Sequence, residues 1–259
     1  MTFAVVSLIA MLLVLIAYFY REHTRHAETL ADIPLRVHVN GIRGKSTVSR
    51  LVGAILREAG YQTFIKTTGS DARLIFPDGH EERIYRDHPN VVEQVQIVKK
   101  IGNEKPEAMV LECMAVRPEY QRVSEESIVR STIGIITNVR LDHQDQFGDS
   151  IEEIGLGLTP TIPRNGTLIV GEIPESVVPI IEHHAREKNT KVIWATKLYP
   201  HIEESYVNSF HYFAHRENIA IGLGVCEALG VSFEVGMIGM KKANPDPGAL
   251  VLHEKKVGE

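Results

Sequence analysis

The hexapeptide Gly41-Ile42-Arg43-Gly44-Lys45-Ser46 contains the residue types that hold a polyphosphate. A glycine turn opening a helix presents backbone N–H groups and the positive end of the helix dipole to an anion. Lys45 adds a point charge for the β- and γ-phosphates, and the Ser46 hydroxyl suits Mg2+. The longer Walker pattern has a glycine where Val39 stands, so this is the shortened G-x-x-G-K-S form, which also recurs by chance. Its flanks give it weight. Leu35 to Val39 alternates as a strand does, and Ser46 to Ala59 places Val48, Leu51, Val52, Ile55, Leu56 and Ala59 on one helical face. A nucleotide site for ATP or GTP is the expectation.

Other polar groups close apolar strands further on. Glu112 ends the run Ala108-Met109-Val110-Leu111, where an uncompensated carboxylate is costly to bury. It reads either as a ligand to a hard cation such as Mg2+ or as a solvated strand end. Thr137-Asn138-Val139-Arg140-Leu141-Asp142-His143-Gln144-Asp145 follows another apolar strand, Thr132 to Thr137. That cluster either serves metal and nucleotide or is an Asx-rich loop making local turns, and spacing alone does not separate the two.

The elements that must position these residues alternate. Strands are expected at Tyr61–Lys66, Thr167–Val170, Lys191–Trp194 and Val207–Phe213, with a hairpin pairing Leu74-Ile75-Phe76 and Arg83-Ile84-Tyr85 around Pro77-Asp78-Gly79. Helices are expected over Val91–Ile101, Ser150–Leu158, Glu175–Lys188 and Arg216–Leu229. This order predicts an α/β fold with a doubly wound, mostly parallel sheet, whose ligands gather at the carboxyl ends of the strands. Gly41, Glu112 and Asn138 all fall there.

A formal net charge of −5 over 259 residues gives no basic balance for a nucleic-acid partner. Cys113 and Cys226 match no zinc or redox spacing and read as reduced core thiols. Phe3 to Tyr20 is free of charge, and its 18 residues reach roughly 27 Å as a helix, enough to cross a hydrocarbon core. Tyr18, Phe19 and Tyr20 followed by Arg21 and Arg25 suit a membrane interface with the remainder of the chain in the cytoplasm. A signal peptide is disfavoured, because a basic n-region and a small-x-small cleavage site are lacking. The expected organisation is an anchor over 1–20, a juxtamembrane linker over 21–34 and a nucleotide-binding domain over 35–244.

The loop, the strand-end Glu112 and Thr137-Asn138-Val139 leading into Asp142-His143-Gln144-Asp145 together resemble the Mur ligases and folylpolyglutamate synthetases. More closely, His38 to Thr47, Lys66 to Arg73, Glu112 to Val116 and Asp246-Pro247-Gly248-Ala249 are similar to the ligase subunits of poly-γ-glutamate synthases. The resemblance implies the central-domain fold of Mur ligases and an ATP-dependent amide ligase that joins glutamate through γ-linkages by way of an acyl phosphate. It implies that Gly41, Arg43, Gly44, Lys45, Ser46 and Thr47 hold ATP, that Asn218 contacts adenine and that Asn138 positions the γ-phosphate region. Ser46 and Glu112 are implied as ligands of one Mg2+, and His143 of a second. Lys66, Thr67, Thr68 and Arg73 are candidates to grip the polyanionic acceptor, with plain solvated cations the competing reading. Implied partners are glutamate, the growing polyglutamate chain and small integral-membrane subunits.

Some features depart from that family. Gly155-Leu156-Gly157-Leu158-Thr159 lacks the lysine that many Mur ligases use for the second metal, and Pro247-Gly248-Ala249 replaces a Pro-Gly-Arg turn. The expectation is that the family's C-terminal domain is absent from these 259 residues, with 245–259 as the start of the linker to it. A membrane-tethered phosphate-loop kinase or NTPase would explain the loop and the anchor, but neither the Asp-His cluster nor Asn218. A non-catalytic nucleotide-binding scaffold of a membrane complex is the third reading.

Overall fold

Buried strands, mostly apolar, build the centre of the sheet. The computed structural model describes residues 2–69, 71–85, 91–142 and 144–247. Its strands are β1 (Leu35–Asn40), β2 (Thr63–Lys66), β3 (Arg73–Ile75), β4 (Glu81–Arg83), β5 (Ala108–Glu112), β6 (Ile133–Asn138), β7 (Thr167–Glu172) and β8 (Lys191–Trp194). They form one sheet in the order β4-β3-β2-β5-β1-β6-β7-β8, parallel from β2 to β8, with the β3–β4 hairpin antiparallel at one edge. The central trio β5-β1-β6 aligns Val39 with Glu112 and Asn40 with Ile136, so the polar strand ends emerge side by side.

The helices are α1 (Thr2–Ala31), α2 (Lys45–Glu58), α3 (Val91–Asn103), α4 (Pro118–Val123), α5 (Gln144–Phe147), α6 (Ile151–Leu158), α7 (Val178–Glu187), α8 (Glu204–Val207), α9 (Arg216–Leu229) and α10 (Phe233–Lys241). Alternation along the strands sorts their side chains between two layers. Val37, Val39, Ile65, Val110, Ile135 and Ile169 face α2, α9 and α10 in one cluster. On the opposite face Ile136, Leu168 and Val170 meet α6 and α7, whereas Phe64, Met109 and Leu111 meet α3 and the end of α1.

Some sequence expectations change. Residues 207–213 do not add a strand to the sheet: α8 and irregular turns occupy 204–211, and Phe210 and Tyr212 plug the α9/α10 cluster. Their apolar spacing reflects burial as a plug, with a single bridge residue at Tyr212 in place of a strand. The segment 21–34 is helical to Ala31, and Leu30 and Ile33 are buried in the core beside α3. Helix α1 is long and apolar enough to cross a membrane, and no part of its apolar window is buried against the domain.

Candidate functional site

The phosphate loop joins β1 to α2 in a backbone path that requires its glycines. Gly41 has φ 127° and Gly44 φ 80°, both in the left-handed region that favours glycine. A Cβ on Gly41 would also lie 2.1 Å from Thr137 Oγ1. Helix α2 begins at Lys45 with no side-chain cap, which leaves its first-turn N–H groups for an anion. Lys45 curls over the loop, its Nζ donating to the carbonyls of Gly41 (2.7 Å) and Ile42 (3.3 Å). Its charge therefore stays at the mouth of the loop.

Glu112 comes to the same mouth from the neighbouring strand. Its Oε2 accepts hydrogen bonds from Ser46 Oγ (2.9 Å) and the Thr68 backbone N–H (2.7 Å). The residue is 3% exposed, yet among the described residues it has no ion pair. A buried carboxylate so placed suits a cation. Mg2+ fits this donor set, because it binds through one or two protein oxygens and completes its shell with water and phosphate oxygens. No cluster of three metal-binding side chains occurs among the described residues, consistent with such a sparse protein contribution. His143 lies outside the described residues, as do Ser70, Gly248 and Ala249.

Asn138 clamps the loop from β6. Its Oδ1 accepts from Arg43 N–H (3.1 Å), and its Nδ2 donates to the Arg43 carbonyl (3.0 Å), which also receives Thr137 Oγ1 at 2.7 Å. The Arg43 guanidinium points outward and pairs with Asp142. Thr47 lies in the first turn of α2, and Asn218, near the start of α9, is buried against the loop: a Cβ on Gly44 would stand 3.1 Å from its Oδ1. Sequence reasoning did not single out Thr137, whose role follows from strand register alone.

The candidates for gripping an acceptor separate. Lys66 is fully buried and pairs with Glu93 at 2.9 Å, so its charge is spent inside the domain. Thr67 is buried and accepts from the Arg73 N–H at 3.1 Å, while the Arg73 guanidinium pairs with Asp71. Thr68 alone of the four contacts the site, through its backbone bond to Glu112. At the far rim Glu172 ends β7 beside Glu217, and that shared hydrogen bond and like charge hold its carboxyl above the usual carboxylate range. Arg140 pairs with Glu217 at 2.9 Å.

The chain is 41% identical over 232 residues to the "PGA synthase CapB" of Bacillus subtilis (strain 168), covering 88% of this chain and 58% of that protein. It is 40% identical over 239 residues to the "Capsule biosynthesis protein CapB" of Bacillus anthracis, covering 91% of this chain and 51% of that one. It thus spans little more than half the length of these relatives. Among solved structures, the apo form of L. casei FPGS superposes with a TM-score of 0.59 at 11% identity, over 92% of this chain and 69% of that one. E. coli FolC in complex with DHPP and ADP gives 0.58 at 18% identity, over 88% and 62%. At these identities the likeness establishes the fold. Residues 39–243 match the model of the Mur ligase middle domain, and the chain belongs to that family.

Proposed function

We propose that the chain supplies the ATP-binding part of a membrane-tethered amide ligase that extends polyglutamate through γ-linkages. One observation carries the reading: Ser46 and the buried Glu112 meet at the uncapped start of α2, next to Lys45, and among the described residues Glu112 has no ion pair. Bound Mg-ATP would supply a phosphoryl group to activate the γ-carboxylate of the chain end as an acyl phosphate; the amine of an incoming glutamate would then attack the acyl carbon, forming the amide as phosphate leaves and the amine loses a proton. Lys45 and the N–H groups of Gly44 to Thr47 hold the phosphates, and Ser46 and Glu112 provide oxygens to Mg2+. Asn138 keeps the loop in its receiving conformation through both bonds to Arg43. The protein's contribution is alignment and charge neutralisation rather than covalent chemistry.

The relatives' names support the product class, and α1 supports tethering by its length and composition. One exposed apolar helix forms no export path for a polyanion, so small integral-membrane partners are part of the proposal. Asn218, buried against Gly44, remains the candidate for the adenine side of the pocket, and His143 for a second metal.

The test is polymer formation in membranes given glutamate and ATP, with Lys45→Ala for comparison. We expect glutamate-dependent ATP turnover and polymer to fall about 10²- to 10³-fold in the variant, the usual cost of losing a preorganised charge stabiliser. Unchanged polymer would sink the ligase reading.

A further inference from the structure

Strand β1 is unusual for the middle of a parallel sheet, where both faces are normally apolar. One face carries Leu35, Val37 and Val39 into the core, whereas the other carries Arg36, His38 and Asn40. These polar residues form a seam between the two apolar clusters on that side. The seam is filled by α4 and the single π-turn that continues it, Ser124–Val129. The wider π-turn lets the consecutive residues Ser124 and Glu125 both point inward and be buried.

The bonds in the seam form one path. Glu125 Oε2 meets His38 Nδ1 at 2.7 Å, and His38 Nε2 meets Ser124 Oγ at 3.4 Å. Ser124 Oγ donates to Gln94 Oε1 at 2.9 Å, and Gln94 Nε2 donates to the Glu112 carbonyl at 3.0 Å. Gln94, on α3, is fully buried, and both ends of its amide are used. The path ends on the residue whose carboxylate faces Ser46. At the same end of the seam, Asn40 Nδ2 donates to Gln121 Oε1 (2.7 Å) and Thr161 Oγ1 (3.0 Å), fixing the residue before Gly41.

We propose that Gln94 is a positioning residue for the metal site: set by Ser124, His38 and Glu125, it holds the end of β5 so that the Glu112 carboxylate meets Ser46 and the cation. The inference rests on the nucleotide reading above. A ligand held only by its side-chain bonds could swing with its backbone. Gln94 holds the Glu112 carbonyl while Thr68 and Ser46 hold its carboxylate, so Glu112 is held at both main chain and side chain. Outer partners of metal ligands commonly govern metal affinity about tenfold or more.

The test is equilibrium binding of a fluorescent, non-hydrolysable ATP analogue to the full chain in detergent, with MgCl2 or with EDTA. For Gln94→Met, of similar size but without the amide, we expect the tightening given by Mg2+ to shrink about tenfold while affinity in EDTA stays within about twofold. Ser124→Ala, which cuts the path one bond further out, is expected to shrink it less, and it serves if Gln94→Met does not fold. A variant pair with the full Mg2+ gain, or with equal losses in Mg2+ and EDTA, overturns the positioning role. Wild-type protein that binds the analogue without any Mg2+ gain overturns the nucleotide–metal reading itself, and the inference with it.

Discussion

Glu112 and Glu125 are equally buried, each 3% exposed, yet they are held in opposite ways. Glu125 sits against His38 at 2.7 Å and also accepts from the backbone N–H and hydroxyl of Ser131, both at 2.8 Å. Burial works to lower the His38 pKa, but the Cys113 thiol and the Glu125 carboxylate beside it prevail and push it up to about 10. Glu125 therefore has its cation within the fold. Glu112 has only neutral donors, a hydroxyl and an amide, and lies where the strand ends open to a ligand. The first carboxylate completes a scaffold, and the second is set up for something that arrives.

Removing each carboxylate tests that contrast. Glu125→Ala leaves a buried imidazolium without its partner and is expected to cost about 3–5 kcal/mol in urea unfolding. Glu112→Gln removes a carboxylate that forms no ion pair among the described residues, so stability should hold or rise while Mg2+ ceases to tighten nucleotide binding. Equal stability losses from the two substitutions would erase the distinction.

The pH dependence of unfolding sharpens it. The folded His38 pKa lies above its ordinary value of 6.5, so the stability from its contacts with Cys113 and Glu125 is complete below about 6.5 and is lost as pH rises through about 10. Wild-type stability should fall across that window more steeply than that of Glu125→Gln; parallel curves would remove the buried ion pair from the account. The smallest effect is expected at the loop's outer rim. Asp142→Asn breaks the pair with the largely exposed Arg43 and should change stability by less than about 1 kcal/mol, with any larger change showing that Asp142 supports the loop.

Much of the scaffold was legible because its signals are local. The loop, its strand and its helix lie within Leu35 to Glu58, and the β3–β4 hairpin follows from the turn residues Pro77-Asp78-Gly79. Residues 207–213 misled because alternation marks burial, and here the burial is of two aromatic plugs rather than of a paired strand. Lys66 read either as a grip for the acceptor or as a solvated cation, because composition carries no record of Glu93, which meets it only through packing of α3 on the sheet. Helix α10, with its glycines at Gly236 and Gly239, has a weak helical signal and forms because those glycines let it approach Cys226 and the backbone of Ala54.

The sequence by itself determined the phosphate loop, since six consecutive residues carry the glycine conformations, the charge and the hydroxyl that a phosphate requires. It also determined a parallel α/β fold, because helix and strand periods alternate along the chain. Only the tertiary structure decided which buried carboxylate is left for a cation. Glu125 meets His38 across 87 residues, Glu112 meets Ser46 across 66, and Gln94 reaches Glu112 across 18. Those separations carry no local pattern. The parallel register of β1, β5 and β6 and the inward turn after α4 bring the partners into contact, and contact sets the charge balance at each site.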